Sequence, residues 1–250
     1  MLFRSSKNFY TAQTARSIPE PAAVPVRRFG VLLPKKRQTM FIRSFTFNPF
    51  SENTYVLYDE TGECVVVDPG CAFPDEEAEL DGFIAAQKLT VKQVVLTHAH
   101  IDHIIGCDHV CKKYGVGIVM HAEDLPMLQR GPQIGLMYGF PVKEAPQPEA
   151  YLKHVDTYSF GHTTLGVLHT PGHSPGSISF VHTPTKSIIS GDVLFQGSIG
   201  RTDLPGGNMD TLLAAIRTYL FSLDDDFQVF SGHGNPTTIG TEKKFNPFLR

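Results

Sequence analysis

Metal-binding side chains are concentrated in one short stretch of the chain, L-T-H-A-H-I-D-H at residues 96–103. The stretch follows Val94 and Val95, so its donors stand where a buried strand is predicted to end. Neutral imidazole and carboxylate are ligands that suit zinc and its neighbours. Because side chains alternate along an extended backbone, the first two histidines can point the same way, while the later donors turn toward a second point. The four donors are His98, His100, Asp102 and His103.

A helix N-terminus is the structural alternative for this stretch. Asp102 would then cap a helix that begins near Ile104, and Thr97 would bond to the loop backbone. This alternative explains the aspartate but not the three histidines around it. A metal site is therefore the favoured interpretation.

Three further donors share a sequence context, since each comes shortly after an apolar strand pattern and beside glycine. The contexts are T-P-G-H-S-P-G at 170–176, S-G-D at 190–192 and S-G-H-G at 231–234. Glycine permits the tight turn that directs a side chain off a strand end. These contexts add His173, Asp192 and His233. Seven donors are too many for one tetrahedral zinc with an open position, but they suit two ions that share a carboxylate.

The elements around these donors alternate between strands and helices. Three strand-like runs from Met40 predict an antiparallel meander, and the third run ends at Asp68. Unbroken helices are predicted over Ile104–Tyr114 and Met209–Phe221. Residues 130–150 contain four prolines and three glycines, which predicts a long loop. Its Met137, Tyr138 and Phe140 could wall the site, plug onto the core or form a dimer contact. The pattern suits two sheets covered by helices.

Charge is unevenly distributed over the 250 residues. Residues 1–39 contain eight Lys or Arg and a single acidic residue, Glu20, whereas the whole chain has a net charge of −3. We therefore divide the chain into a basic leader at 1–39 and one domain at 40–250. The leader is either an organelle-targeting peptide or sequence upstream of a start at Met40; the second interpretation is favoured, and either predicts poor order. The acidic body argues against nucleic acid as a partner.

The combined motifs T-H-A-H-I-D-H, P-G-H-S-P-G, S-G-D and G-H-G resemble those of the metallo-β-lactamase fold superfamily. Within it, S-G-D-V-L-F-Q-G-S-I-G-R-T-D-L-P-G-G at 190–207 is similar to the glyoxalase II-like enzymes, the hydroxyacylglutathione hydrolases. The resemblance runs from about Met40 to the end of the chain. It implies an α/β fold, a four-layer αββα sandwich with the metals at one edge.

Carried over position by position, the resemblance implies three ligands for each of two metals and one bridging carboxylate: His98, His100 and His173, then Asp102, His103 and His233, with Asp192 as the bridge. Asp68, in V-V-V-D-P-G, resembles an early family aspartate that supports the site from behind its ligands. A strand-ending turn before Pro69 is an equally compatible role for Asp68.

The resemblance implies a metal-dependent hydrolase, a thioesterase that acts on S-lactoylglutathione or a related acyl-thiol. Two divalent ions, zinc in the first place with iron or manganese as alternatives, would hold a bridging hydroxide that attacks the acyl carbon. Asp192 and Asp102 are the predicted catalytic residues. Asp192 would bridge the metals, and Asp102 could orient the nucleophile as well as bind metal. The chain ends at Arg250, soon after His233, without room for the helical region that helps longer members hold glutathione. Arg201, Lys243 and Lys244 are candidate contacts for an anionic thiol carrier, or solvated surface charges.

Two other functions are compatible with the motifs. Persulfide dioxygenases share this fold and a G-R-T-D segment but use one iron, and a metal-binding protein without turnover is the non-enzymatic alternative. A β-lactamase is disfavoured because zinc β-lactamases generally place cysteine where Asp192 stands. No apolar run reaches the length of about 18 residues that a membrane span needs. The prediction is thus a small-molecule substrate, with neither nucleic acid nor a membrane as partner.

Six further histidines belong to no motif, so each is predicted to be structural or solvated: His109, His121, His154, His162, His169 and His182. Of these, His169 lies nearest in sequence to a predicted ligand. The four cysteines are predicted to be reduced packing residues: Cys64, Cys71, Cys107 and Cys111. Reduced cysteines and thiol chemistry favour the cytoplasm, or an organelle if the leader is a transit peptide.

Overall fold

The computed structural model describes residues 39–140 and 142–250. The predicted leader therefore lies outside the described residues, apart from Thr39. In the described part, two six-stranded sheets carry the fold, and a two-stranded ribbon accompanies them.

The first sheet runs in chain order, from β1 to β6. The first three strands pair antiparallel, which confirms the predicted meander, and β3 to β6 pair in parallel. Its strands are β1 Phe41–Phe47, β2 Glu52–Tyr58, β3 Glu63–Val67, β4 Thr90–Val95, β5 Ile118–Met120 and β6 Pro148–Tyr151.

The second sheet has the order β14-β13-β10-β9-β8-β7. Its strands pair antiparallel except β10 and β13, which are parallel. The strands are β7 Thr157–Phe160, β8 Thr163–His169, β9 Ile178–His182, β10 Ser187–Gly191, β13 Gln228–Ser231 and β14 Thr237–Thr238, while β11 Leu194–Phe195 and β12 Ser198–Ile199 form the ribbon.

Alternation along the strands builds three hydrophobic clusters. In β3, Val65 and Val67 face one cluster, whereas Cys64 and Val66 face another, as a strand buried on both sides requires. The cluster between the sheets joins Val95 to β9 residues such as Phe180. The two outer clusters pack the sheets against helices, so the predicted αββα sandwich is confirmed.

Seven α-helices flank the sheets in the described residues: α1 Pro74–Ala86, α2 Ile101–Ile104, α3 Cys107–Tyr114, α4 Leu125–Gln129, α5 Gly131–Met137, α6 Met209–Ala215 and α7 Ile239–Phe245. The start of α1 is stabilised by Glu76, whose carboxylate accepts from the backbone N–H groups of Ala72 and Phe73.

Two of the predicted helices are interrupted. The helix predicted over Ile104–Tyr114 is wrong as one element, because α2 and α3 break at Gly106. There the backbone N–H donates to Pro69 O at 2.8 Å, and an added Cβ would lie 2.9 Å from that oxygen. The helix predicted over Met209–Phe221 continues beyond α6 as a π-helical turn, Ile216–Leu220.

Residues 130–150 are not the long loop that their proline content predicted. They contain α5 and the beginning of β6. Pro132 lies in the first turn of α5, a position where proline is tolerated because its N–H would be unpaired anyway.

The cysteines are free and buried, as predicted. Burial raises the pKa of Cys64 to about 12 and that of Cys111 to about 12, so these thiols are poor nucleophiles at neutral pH. None of the described helices has the length and apolar character needed to cross a membrane.

Candidate metal centre

The candidate site lies where strand ends from both sheets meet. The stretch after β4 belongs to the first sheet, whereas the β8–β9 turn and the ends of β10 and β13 belong to the second. Backbone bonds join the two sheets here: Ile178 N–H donates to Thr97 O at 2.8 Å, and Asn53 N–H donates to Gly232 O at 2.7 Å. All seven predicted donors are brought together by this arrangement.

Three histidines form the first group. His173 Nε2 lies 2.7 Å from His100 Nδ1 and 3.2 Å from His98 Nε2. His173 Nδ1 donates to the backbone oxygen of Arg201 at 2.8 Å, which leaves Nε2 as the unprotonated nitrogen. Burial and the neighbouring His173 lower the pKa of His100 to about 3, and burial lowers the pKa of His98 well below its usual range. His98 and His100 therefore present neutral imidazoles next to the ring of His173.

A second group contains Asp102, His103 and His233. Asp102 Oδ2 lies 3.1 Å from His233 Nε2 and 3.6 Å from His103 Nε2. The other nitrogen of His233 donates to Phe50 O at 3.1 Å, as is typical of a metal-ligating histidine. Asp102 lies within the first turn of α2, whose N-cap is His100, so its alternative role as the cap is wrong.

Asp192 lies between the two groups. Its Oδ2 is 3.5 Å from His173 Nε2 in the first group and 3.4 Å from His233 Nε2 in the second. Its Oδ1 is 3.5 Å from His103 Nε2. This is the position that a shared carboxylate must occupy.

The charges around Asp192 are those of a cation site. Among the described residues, the ion-pair partners of Asp192 and Asp102 are all histidines. Burial by itself would raise the pKa of Asp192, but His103 holds it well below its usual range. Burial likewise opposes protonation of His233, yet bonds from Asp102 and Asp192 raise its pKa to about 10. In the absence of metal, protons on histidine thus take the place of a cation.

The donor set fits two divalent ions. His103 Nε2 and Asp192 Oδ1 are buried and have no hydrogen-bond partner, which is costly unless something else satisfies them. The distance of 2.7 Å between His100 Nδ1 and His173 Nε2 also requires a proton or a cation between these two nitrogens. Imidazole and carboxylate in this ratio suit zinc, iron or manganese.

Asp68 holds the second group from behind. Its Oδ2 lies 3.1 Å from His103 Nδ1, and it accepts from both the backbone N–H and the hydroxyl of Thr97. The backbone at Asp68 is left-handed, with φ 49°, so the residue also ends its strand in a turn. Both roles inferred from the sequence apply to the same residue.

Sequence reasoning missed Glu52, whose carboxylate, like that of Asp68, faces Nδ1 of His103. Its carboxylate is fully buried, Oε1 lies 3.8 Å from His103 Nδ1, and Oε2 accepts from Thr54 Oγ1 at 2.9 Å. Burial raises the pKa of Glu52 well above its usual range. Glu52 begins β2 and is followed by the polar residues Asn53 and Thr54, so no local pattern indicated its burial.

Asp124 was also missed, although it joins the two histidine-bearing loops. Its Oδ2 accepts from Ala99 N–H at 3.0 Å and from Ser174 Oγ at 2.7 Å, and its Oδ1 accepts from Gly176 N–H at 2.6 Å. The chain places Asp124 in a short 3₁₀ turn after β5, far in sequence from either loop. No local pattern could have indicated this role.

The segment that follows α5 reaches the edge of the site. The ring of Tyr138 lies 5.7 Å from that of Phe50, and the ring of Phe140 lies 5.8 Å from it. Phe50 in turn accepts from His233, so this aromatic cluster borders the second group. Met137 and Tyr138 are exposed, and the role of this segment as a wall of the site stays a prediction.

Two of the three basic residues predicted to meet an anionic carrier, Arg201 and Lys243, are paired with acidic side chains. Arg201 makes two bonds of 2.7 Å to the carboxylate of Asp203. Lys243 donates to Leu223 O and to Asp225. These pairings offset the charges and weaken a role as anion receptors.

Gly232→Ala is expected to lower metal content sharply while the chain remains folded. An added Cβ would collide with Asp192 Oδ1 and lie 2.7 Å from His103 Cε1, so both donors would have to move. The measurement is metal per chain after dialysis, with circular dichroism to check folding.

Gly234→Ala is the matched control for this experiment. Gly234 has φ +73° but nothing within 4 Å of an added Cβ, so alanine there adds about 1 kcal/mol of backbone strain without touching a donor. Equal metal loss in the two variants would contradict a role of Gly232 in shaping the site.

The chain is similar in sequence to known proteins. The profile of the metallo-β-lactamase superfamily matches residues 47–233. A hydroxyacylglutathione hydrolase, GloC of Haemophilus influenzae, is 35% identical over 217 residues, which is 84% of this chain and 98% of that protein.

Two solved structures are similar in both sequence and fold. The BLEG-1 B3 metallo-β-lactamase has a TM-score of 0.77 and 37% identity, covering 84% of this chain and 99% of its own. TTHA1623, solved in a di-iron-bound form, has a TM-score of 0.75 and 34% identity, covering 83% of this chain and 100% of its own.

Proposed function

The chain belongs to the metallo-β-lactamase superfamily, and we propose that within it the protein is a binuclear metal-dependent thioesterase that hydrolyses S-lactoylglutathione or a related acyl-thiol. The convergence of seven donors, two of which have a buried atom without a hydrogen-bond partner, supports this function most directly. The similarity to a hydroxyacylglutathione hydrolase along nearly its whole length supports the substrate class.

The proposed ligands follow the two groups described above, with one ion held by His98, His100 and His173, the other by Asp102, His103 and His233, and Asp192 in contact with both. When bound, two such ions acidify a water molecule and polarise a carbonyl oxygen. Zinc is the proposed metal, with iron and manganese as alternatives; the di-iron form of TTHA1623 supports iron.

The side chains hold and orient the reactants. Asp102 is the more exposed of the two central carboxylates, with 14% of its side chain exposed, so it can accept a proton from the attacking water. Water adds to the acyl carbon, the carbon–sulfur bond breaks, and the thiolate leaves. The thiolate takes up the proton that Asp102 accepted from the water. Asp68 keeps His103 oriented through Nδ1. The products are a carboxylic acid and a thiol.

The surroundings fit an acyl-thiol better than a strongly anionic ligand. Phe50, Tyr138 and Phe140 offer an apolar border for an acyl chain or a thioether stem. Because Asp203 offsets the charge of Arg201, we propose that recognition rests on the thioester itself and on this border.

β-Lactam hydrolysis is the second candidate, favoured by the similarity to the BLEG-1 enzyme. It needs the same water and the same polarised carbonyl, but the scissile bond is an amide. The aspartate at position 192 argued against this activity on sequence grounds, whereas the similarity at 37% identity keeps it worth testing.

A substrate panel with metal counted in parallel tests the proposal. We expect two metal ions per chain at this centre and release of free thiol from S-lactoylglutathione and related thioesters, faster than opening of a chromogenic cephalosporin. His162→Ala, at an exposed histidine outside the site, is the control and should behave like wild type. Faster cephalosporin opening would replace the proposal with the second candidate, and oxygen uptake on glutathione persulfide with one iron per chain would replace it with a dioxygenase.

A further inference from the structure

A second cluster of metal-binding side chains lies outside the seven donors. His121 follows β5, Glu123 lies in the adjoining 3₁₀ turn, and His169 ends β8. Each offers one ligand atom, and these atoms all lie within 4.8 Å of one another. We propose that His121, Glu123 and His169 form a peripheral site for a divalent first-row transition-metal ion such as zinc.

The hydrogen bonding of His169 is that of a metal ligand. Its Nε2 donates to the backbone oxygen of Pro175 at 2.8 Å, which fixes the tautomer and leaves Nδ1 unprotonated. A ligating histidine typically donates its second nitrogen to a carbonyl or carboxylate in this way. Through Nδ1, His169 can bind an ion without giving up the bond to Pro175.

The partner histidine is also available for binding. The ring of His121 stacks on that of His169, with centroids 4.1 Å and planes 16° apart, so one ring must rotate before the in-plane lone pairs of both can reach one ion. Its Nδ1 accepts from Glu123 N–H over a long 3.3 Å, a bond that is weak enough to exchange for a metal. Burial and the neighbouring His169 lower the pKa of His121, which keeps its ring neutral and able to bind at neutral pH.

Glu123 supplies a negative charge to the cluster, and its side chain can move toward a bound ion. Its side chain is 58% exposed, and Oε2 lies 3.9 Å from His169 Nε2, the nitrogen that donates to Pro175, so the carboxylate must swing toward Nδ1 to share an ion with it. Donor atoms around a tetrahedral zinc lie about 3.4 Å apart, so the cluster must contract by about 1 Å. An exposed glutamate can make that movement without disturbing the core. Two imidazoles and one carboxylate, with water as the fourth ligand, form a recognised zinc set.

The zinc-binding stoichiometry of the full chain tests this site. Metal-free protein is dialysed against zinc at saturating concentration, and bound zinc is counted by elemental analysis. We expect His121→Ala and His169→Ala each to bind one zinc per chain fewer than wild type. Glu123→Gln, at an exposed position where folding is not at risk, should release this zinc at lower competing chelator concentrations than wild type.

His162→Ala is the matched control. His162 pairs with Glu60 at 3.3 Å on the surface, so this variant also removes a histidine that lies near a glutamate, but outside the proposed site. It should retain the wild-type count. The result is read as a difference of one, so it does not depend on how many ions the seven-donor centre holds or on any turnover. Unchanged zinc counts in His121→Ala and His169→Ala, with folding verified by circular dichroism, would overturn the peripheral site.

Discussion

Asp192→Asn is expected to lower kcat/KM for the thioester substrate by more than about 100-fold and to reduce bound metal below two ions per chain. In the described part of the chain, Asp192 is the side chain that lies within 3.5 Å of donors from both groups. The amide has nearly the same shape, but it carries no charge and offers one acceptor oxygen in place of two. The loss therefore tests charge and bridging rather than packing.

The readouts are thiol release under steady-state conditions and metal per chain in the same preparation. Asp210→Asn is the control, since Asp210 is exposed in the first turn of α6 and lies outside both donor groups. We expect that variant to match wild type in both measurements. A variant at Asp192 that keeps two ions and near-normal turnover would refute the shared-carboxylate assignment.

The sequence was sufficient to predict which donors the fold brings together, because these donors follow strand ends. A strand that carries His98 and His100 at its end, and others that end near Asp192 and His233, can be recognised separately from local patterns. The ends of neighbouring strands in a layered fold must then meet at a sheet edge. Glycine beside the donors added the signal that the turns are tight.

The residues that support the donors could not be found in the same way. Asp124 binds Ala99, Ser174 and Gly176, which are distant in sequence and come together only after both sheets are formed. The burial of Glu52 likewise depends on the packing of β2 below α2 and not on its neighbours in the chain. Contacts of this kind have no periodicity to reveal them.

Errors in the helices have the same origin. The break between α2 and α3 arises because Gly106 approaches Pro69 O, a tertiary contact that the apolar stripe of the sequence does not encode. In residues 130–150, local proline content predicted a loop, but Pro132 is compatible with the first turn of α5. In these segments, tertiary packing outweighed the local preference of the sequence for helix or loop.

Removal of metal is expected to destabilise the folded protein by about 4 kcal/mol when the comparison is made at a free ion concentration about 1,000-fold above the dissociation constant. Without ions, nitrogens such as His100 Nδ1 and His173 Nε2 remain 2.7 Å apart, and the buried carboxylate of Asp192 must rely on protonated histidines. Bound cations stabilise the same geometry directly. The measurement is urea unfolding at equilibrium, with metal-loaded and chelator-treated protein at the same pH.

Two variants show which site is responsible for this stabilisation. Asp192→Asn should lose most of the difference between loaded and stripped protein, because it lacks the charge that joins the two groups. His121→Ala should retain most of it, because the peripheral cluster lies at a more exposed position and contributes one weaker ion. Identical unfolding midpoints for loaded and stripped wild type would mean that the seven donors do not bind metal in the folded state, and the proposed hydrolase would then lose its physical basis.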